Sequence, residues 1–131
     1  MSNIRLFVYG TLMVPEVLFA LTRTKYEPRA AVLEGYKRSG LAGRSYPGMV
    51  RDEKSRVQGL ILDVSEGDFR IIDEFEGDMY TCETVYPLVD GEEYEARAYV
   101  LKAKYENLLV NSDWSVESFV RKSLSAFLRG G

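Results

Sequence analysis

The fold class is decided by residues 80–102, which read Tyr-Thr-Cys-Glu-Thr-Val-Tyr-Pro-Leu-Val-Asp-Gly-Glu-Glu-Tyr-Glu-Ala-Arg-Ala-Tyr-Val-Leu-Lys. Two β-rich runs, Tyr80–Val89 and Tyr94–Lys102, lie on either side of Asp90-Gly91, a dipeptide typical of tight hairpin turns. Strands joined by such a turn pair antiparallel. The sequence therefore predicts a mixed α+β fold and argues against the doubly wound parallel sheet of nucleotide-binding domains.

A helix is predicted immediately before this hairpin. Ser65-Glu66-Gly67-Asp68 fits a capping box, with Asp at the last position in place of the usual Glu or Gln. The helix is expected to run through Phe75 or Glu76 and to end at Gly77. Arg56–Val64 alternates in polarity and predicts the strand that leads into this helix.

The N-terminal part predicts a strand, a helix, a second strand and a loop. Ile4–Tyr9 is a short β-rich run ended by Gly10, and Pro15 suits the first turn of a helix. Residues from about 30 to 40 predict the next strand. Glycines and a proline between positions 40 and 48 then predict a loop.

The C-terminal helix has the clearest periodicity. Ser115 suits its N-cap, and apolar side chains recur on one face before Gly130. The predicted order is β-α-β-β-α-β-β-α, and a length of 131 residues fits one domain over residues 1–131. The apolar face consists of Val116, Phe119, Val120, Leu124, Phe127 and Leu128.

The composition excludes several classes of function. The chain has no histidine and one cysteine, Cys82, which excludes histidine-dependent triads, histidine-ligated metals and intrachain disulfides. A net charge of −3 argues against nucleic-acid binding. There is no signal-peptide pattern and no apolar run of membrane-spanning length. We therefore expect a cytoplasmic protein without a metal or cofactor, in which Cys82 is structural; the oligomeric state is left open.

One glutamate in the predicted helix stands out by its position. Glu76 follows Phe69 and Ile72 at spacings that put all three on one face, which is otherwise apolar. Such a carboxylate either lies in a pocket or reaches solvent at the edge of the face, because burying an isolated charge is costly. The helix C-terminus also disfavours its negative charge. Three neighbouring carboxylates are interpreted as a solvated face: Asp73, Glu74 and Asp78.

Two loops are further candidates for binding. The turn Tyr9-Gly10-Thr11-Leu12 joins a strand to a helix and leaves backbone N–H groups available for a carboxylate or an oxyanion. It is equally compatible with a plain β-to-α turn. In the loop 43–48, Arg44 could bind a substrate carboxylate and Tyr46 could line a pocket, although a solvent-facing loop fits the same residues.

Five segments in order carry a family resemblance. They are Phe7-Val8-Tyr9-Gly10-Thr11-Leu12-Met13, Gly43-Arg44-Ser45-Tyr46-Pro47, Val57-Gln58-Gly59, Ile72-Asp73-Glu74-Phe75-Glu76-Gly77 with Tyr80, and Trp114. Together they resemble the gamma-glutamylcyclotransferase-like superfamily, and most of all its plant avirulence-induced-gene-type branch. The resemblance implies a small β-barrel with packed helices and a pocket at one end.

The resemblance also implies a reaction and its residues. The amine of a small γ-glutamyl amide attacks its own γ-carbonyl, which forms 5-oxoproline and releases an amine of undetermined identity. Glu76 aligns with the acid/base glutamate, and Tyr80 joins Arg44 and Tyr46 as a candidate for the pocket. Relatives commonly have Tyr-x-Arg where this chain has Tyr80-Thr81-Cys82, and a non-catalytic binding or regulatory module is the alternative. The loop that binds the glutamyl group aligns with Tyr9, Gly10, Thr11, Leu12, Met13 and Val14.

Overall fold

The computed structural model describes residues 3–130, so residues 1, 2 and 131 of the predicted domain lie outside the description. The described chain contains seven strands and four α-helices. The strands are β1 (Ile4–Val8), β2 (Arg29–Gly40), β3 (Pro47–Val64), β4 (Tyr80–Val85), β5 (Leu88–Val89), β6 (Glu92–Glu93) and β7 (Ala96–Leu101). The helices are α1 (Pro15–Thr22), α2 (Glu66–Glu76), α3 (Val116–Lys122) and α4 (Leu124–Leu128).

All seven strands form one curled sheet, a half-barrel with helices packed against it, in the order β4-β7-β1-β3-β2-β5-β6. The predicted α+β class with a barrel-type sheet and packed helices is confirmed. Every pair of neighbouring strands is antiparallel except β1 and β7, where Leu6 aligns with Arg97 in a parallel pair. The first strand of the chain therefore lies inside the sheet, with neighbours on both sides.

The longest pairing joins β2 to β3, and it corrects the predicted loop. The register runs from Arg29 opposite Ile61 to Gly40 opposite Pro47, so β3 starts at Pro47 and the prediction of a strand starting at Arg56 is wrong. Pro47 is tolerated because it is the first residue of the strand. The stretch that follows it includes a run of polar residues, which hides the alternation on which the prediction depended.

The predicted hairpin is present but divided. The turn at Asp90 and Gly91 has positive φ at both residues, as a tight hairpin turn requires. It joins only the short strands β5 and β6, whereas β4 pairs with β7. The predicted continuous strand Tyr80–Val89 is wrong, because β4 ends at Val85 and the chain passes through Pro87, which has no N–H for a ladder.

The C-terminal helix is also divided. Ser123 ends α3, donating its N–H to the Phe119 carbonyl at 2.8 Å, and also precedes α4 as its N-cap residue. Serine favours helix ends over helix interiors because its side chain competes for local backbone groups. The single apolar face predicted here is therefore only partly right: Phe119 is buried, whereas Val120 and Leu128 are 46% and 47% exposed.

Alternation along β1 separates two apolar cores. Leu6 and Val8 pack with the helices, and Phe7 belongs to the cluster on the other face of the sheet. Helix α2 begins as predicted, since the Ser65 hydroxyl accepts the Asp68 N–H at 3.1 Å, and it ends at Gly77. No helix within residues 3–130 has the length and apolar character to cross a membrane.

Candidate functional site

A narrow pocket lies where β1 ends and α2 ends. It is formed by residues 7–12, Pro47, Glu76, Tyr80 and Tyr99, and its empty space with the open mouth is about 360 Å³. The sheet order explains this convergence, because β3 and β7 lie on either side of β1 and β4 lies beside β7. Of the residues predicted to bind substrate, Tyr9, Gly10, Thr11 and Leu12 line this pocket.

The turn after β1 determines which N–H groups are available. The Met13 and Val14 N–H groups donate to the carbonyls of Gly10 and Thr11 at 2.9 and 3.0 Å. Within residues 3–130, no protein acceptor takes the N–H groups of Gly10, Thr11 or Leu12. Met13 and Val14 do not line the pocket; they pack with the helix-side core. The loop thus offers unpaired donors from its first half only.

Glycine is required at position 10 by the start of β3. A Cβ atom added to Gly10 would lie 2.9 Å from the Pro47 Cδ atom, inside normal contact distance. The Pro47 ring therefore lies directly against the backbone of the turn. This close approach explains why the two segments form one wall of the pocket.

Glu76 is the last residue of α2 and lies half-buried in the pocket wall. Burial, followed by the negative charge of Asp73, raises the pKa of Glu76 from 4.5 to about 7. No group in the described chain donates a hydrogen bond to its carboxylate. A carboxyl group with this pKa exchanges a proton readily near neutral pH.

Three tyrosines form the frame of the pocket. The Tyr9 hydroxyl donates to the Tyr99 carbonyl at 2.5 Å, and the Tyr80 hydroxyl donates to the Pro47 carbonyl at 2.6 Å. The Tyr99 hydroxyl donates to Asp73 Oδ1 at 2.9 Å. Burial raises the pKa of all three phenols above the ordinary value, so they remain neutral donors around neutral pH.

The other two pocket candidates lie outside the pocket wall. Arg44 is exposed, and its guanidinium donates to the Ala42 carbonyl at 3.1 Å. Tyr46 is half-buried, and its hydroxyl faces the Met79 sulfur at 3.8 Å. Both affect the pKa of Tyr80, Arg44 lowering it and Tyr46 raising it, so they lie near the pocket without lining it.

Sequence reasoning missed an arginine that holds the end of β1. Arg38 donates to the Tyr9 carbonyl at 2.9 Å and pairs with both carboxylate oxygens of Asp113 at 2.8 and 3.1 Å. Its guanidinium also lies over the Trp114 ring. No local pattern could reveal these contacts, because Arg38 lies 29 residues from Tyr9 and 75 from Asp113.

The interpretation of three carboxylates as a solvated face agrees with their exposure, but one of them makes a further contact. Asp73, Glu74 and Asp78 are all exposed, and the Asp73 carboxylate also accepts the hydrogen bond from the Tyr99 hydroxyl. The sequence held a signal for this contact, because Asp73 follows Phe69 by four residues and precedes Glu76 by three, which puts it at the edge of their helix face.

The lone cysteine is part of the sheet. Cys82 is half-buried in β4 directly opposite Tyr99 of β7, and burial raises the pKa of its thiol. The Arg97 side chain lies close enough to lower that pKa in part. In the part of the chain that the structure covers, no three Cys, Asp or Glu side chains cluster as metal ligands would.

Comparison with known proteins gives a consistent result. A sequence model described as gamma-glutamyl cyclotransferase, AIG2-like, matches residues 6–116. AIG2-like protein C of Arabidopsis thaliana is 33% identical over 117 residues, which are 87% of this chain and 67% of the relative. A solution structure of an Arabidopsis thaliana protein superposes with a TM-score of 0.77 at 27% identity, covering 99% of this chain and 89% of that chain.

A crystal structure of an AIG2-like protein from Mus musculus has a TM-score of 0.70 at 18% identity, and the superposition covers 88% of this chain and 90% of that one. At that identity the likeness concerns the fold alone. The half-barrel with packed helices is thus the fold of gamma-glutamylcyclotransferase-like proteins. The chain belongs to the gamma-glutamyl cyclotransferase, AIG2-like family, which confirms the resemblance seen in its sequence.

Proposed function

We propose that the protein is a γ-glutamylcyclotransferase that converts a small γ-glutamyl amide into 5-oxoproline and a free amine. The observation that carries this proposal is the position of Glu76. Its half-buried carboxyl group, with a pKa of about 7, shares a narrow pocket with unpaired backbone N–H groups of the Tyr9–Leu12 turn. A proton-transfer group and an anion cradle are the two components that this reaction requires.

Glu76 transfers the proton. The α-ammonium group of the substrate loses a proton to Glu76, and the resulting amine attacks the γ-carbonyl carbon to form the new C–N bond. The original amide C–N bond breaks as Glu76 returns this proton to the leaving nitrogen. The attacking nitrogen then gives its second proton to Glu76, which passes it to the released amine, so 5-oxoproline keeps one lactam N–H and the amine leaves as an ammonium ion. A pKa near the working pH suits these transfers, which together contribute about 10²–10⁴-fold to the rate.

The turn after β1 binds negative charge. The N–H groups of Gly10, Thr11 and Leu12 hold either the α-carboxylate of the substrate or the oxyanion that develops on the γ-carbonyl oxygen. One such donor aimed at an oxyanion contributes about 10²–10³-fold. Arg38 keeps these donors in place, because its bond to the Tyr9 carbonyl fixes the residue before them.

The pocket also selects the reactive conformation. Because nucleophile and electrophile belong to one molecule, the protein has mainly to hold the substrate folded on itself. Fixing such a geometry lowers a barrier by up to about 7–11 kcal/mol. The Tyr9 and Tyr80 hydroxyls are already bonded to carbonyls of the protein, so they serve as rigid walls for this purpose.

The test is release of 5-oxoproline from a panel of γ-glutamyl amides whose leaving groups are amino acids, the dipeptide of glutathione, a lysine side chain and polyamines. Glu76→Gln is expected to lower turnover by about 10²–10⁴-fold on any amide that the wild type accepts. Glu74→Gln removes the same charge from an exposed position on the same helix and is expected to stay within a few-fold of wild type.

Two outcomes would overturn the proposal. Near-wild-type turnover by folded Glu76→Gln would remove the acid/base role of Glu76. If the wild type releases no 5-oxoproline from any amide in the panel but binds one of them by calorimetry, the protein is a binding module that has kept the pocket.

A further inference from the structure

Two hydrogen bonds made by Tyr99 connect the Tyr9–Leu12 turn to helix α2. The Tyr9 hydroxyl donates to the Tyr99 carbonyl at 2.5 Å, and the Tyr99 hydroxyl donates to Asp73 Oδ1 at 2.9 Å. Asp73 lies three residues before Glu76, which puts the two carboxylates on neighbouring turns of one helix face. The carboxylate of Asp73 is thus directed to the same side of the helix as the proposed acid/base.

The anchor of Asp73 is rigid. Tyr99 is 3% exposed, and its ring stacks on Phe69 of the same helix at a centroid distance of 6.5 Å. Burial also raises the pKa of the Tyr99 phenol, so its hydroxyl keeps its proton around neutral pH and remains a donor. Asp73 is itself exposed to solvent, but its carboxylate has a buried residue as hydrogen-bond donor, which favours one orientation.

We propose that Asp73 is a positioning residue for the proposed cyclotransferase reaction, held by Tyr99 so that its negative charge makes Glu76 a stronger base. The proposal depends on the proposed function for its kinetic consequence. The electrostatic effect of Asp73 can be measured without turnover, because it changes how tightly Glu76 holds a proton.

Among the groups around Glu76, Asp73 is the one whose charge raises the pKa of Glu76. The other titratable groups facing Glu76 are uncharged at neutral pH, because burial raises the pKa of each. They are Tyr9 at the end of β1, Tyr80 and Cys82 on β4, and Tyr99 on β7. Each nearby arginine lowers the pKa of one of these groups: Arg38 that of Tyr9, Arg44 that of Tyr80 and Arg97 that of Cys82. Burial is the larger cause of the raised pKa of Glu76, and Asp73 is the charged cause.

Removing the charge of Asp73 should therefore weaken Glu76 as a base without removing it. Burial persists in such a variant, so the pKa of Glu76 should fall but remain above that of an ordinary glutamate. The acid limb of the rate profile, which reports ionisation of the base, should move to lower pH. The plateau rate should fall modestly, because a weaker base accepts the ammonium proton less readily.

The experiment compares Asp73→Asn, Tyr99→Phe and the control Glu74→Gln. The pKa of Glu76 is measured by NMR titration of ¹³C-labelled glutamate carboxyl groups, with Glu76→Gln used to assign the resonance. Asp73→Asn is expected to lower the titration midpoint by about 0.5 pH unit or more, and the acid limb of kcat/KM should follow it. Tyr99→Phe keeps the stacked ring, so it should move the midpoint in the same direction by less. Glu74→Gln should change neither the Glu76 titration midpoint nor the acid limb of kcat/KM.

An unchanged Glu76 midpoint in folded Asp73→Asn overturns the inference. If that variant does not fold, Tyr99→Phe decides, because an unchanged Glu76 midpoint there overturns the proposal that Tyr99 holds the charge of Asp73 where it acts on Glu76. A shifted midpoint in a protein that forms no 5-oxoproline supports the coupling between Asp73 and Glu76 and rejects the proposed function. The two ideas are therefore tested separately.

Discussion

At the scale of single residues, the position of Glu76 should make the stability of the protein depend on pH. Its pKa rises from 4.5 to about 7 on folding, so the folded state holds this proton more tightly than the unfolded chain. That contribution to stability is complete below the lower pKa and is lost as the pH rises through the higher one. Its size is about 3 kcal/mol.

We therefore expect Glu76→Gln to be more stable than the wild type at about pH 8, by up to about 3 kcal/mol, and similar to it at about pH 4. The measurement is urea unfolding of both proteins at the two pH values. Glu74→Gln is the matched control and should show no such divergence. An equal difference at both pH values would show that the variant acts through packing rather than through ionisation.

Two glycines should respond in opposite ways to a single added methyl group. A Cβ atom added to Gly59 of β3 would lie 2.3 Å from the Val8 carbonyl oxygen, a backbone atom that cannot move away easily. In Gly67 of α2, a Cβ meets nothing within 4 Å. Thermal melts should show Gly59→Ala destabilised by about 1–3 kcal/mol or more. Gly67→Ala should be stabilised by up to about 1 kcal/mol. A neutral Gly59→Ala would contradict the close approach of β1 and β3.

At the scale of elements, helix α2 depends on its cap. The Ser65 hydroxyl accepts the Asp68 N–H at 3.1 Å and satisfies a donor that the helix cannot satisfy internally. Ser65→Ala should cost about 0.5–2 kcal/mol in urea unfolding, and Ser65→Thr should retain most of the stability. Because Glu76 is at the opposite end of α2, turnover below the melting transition should be unaffected by Ser65→Ala. A large loss of turnover in a folded variant would mean that the cap also orients Glu76.

Some elements can be predicted from local sequence and others cannot. Both ends of helix α2 are predictable because Ser65 and Gly77 are local signals. The first half of β3 is not predictable in this way, because its register is set by pairing with β2 rather than by its own pattern. The same division holds in the pocket. Glu76 was found from its helical phase, whereas Tyr99 is 90 residues from Tyr9 and only folding brings them together.

At the scale of the whole molecule, Trp114 is a probe of whether the chain unfolds cooperatively. It is the only tryptophan, it is 8% exposed, and its indole N–H donates to the Ser45 carbonyl at 2.7 Å. It therefore connects the loop before β3 with the helices that follow it. If residues 1–131 form one domain, as their length predicts, unfolding followed by tryptophan fluorescence and by far-UV circular dichroism should have one midpoint. Separate midpoints would show that the C-terminal helices unfold on their own.

The central position of β1 has a consequence for how the protein is made. The ribosome releases β1 first, yet the parallel partner of Leu6 is at position 97, on the last strand. At ordinary rates of synthesis the nascent chain waits roughly five to twenty seconds for that partner. Throughout this time an apolar strand, with Leu6 and Phe7 destined for full burial, keeps one edge open to other chains. Translation that stops before β7 should therefore yield fragments that aggregate.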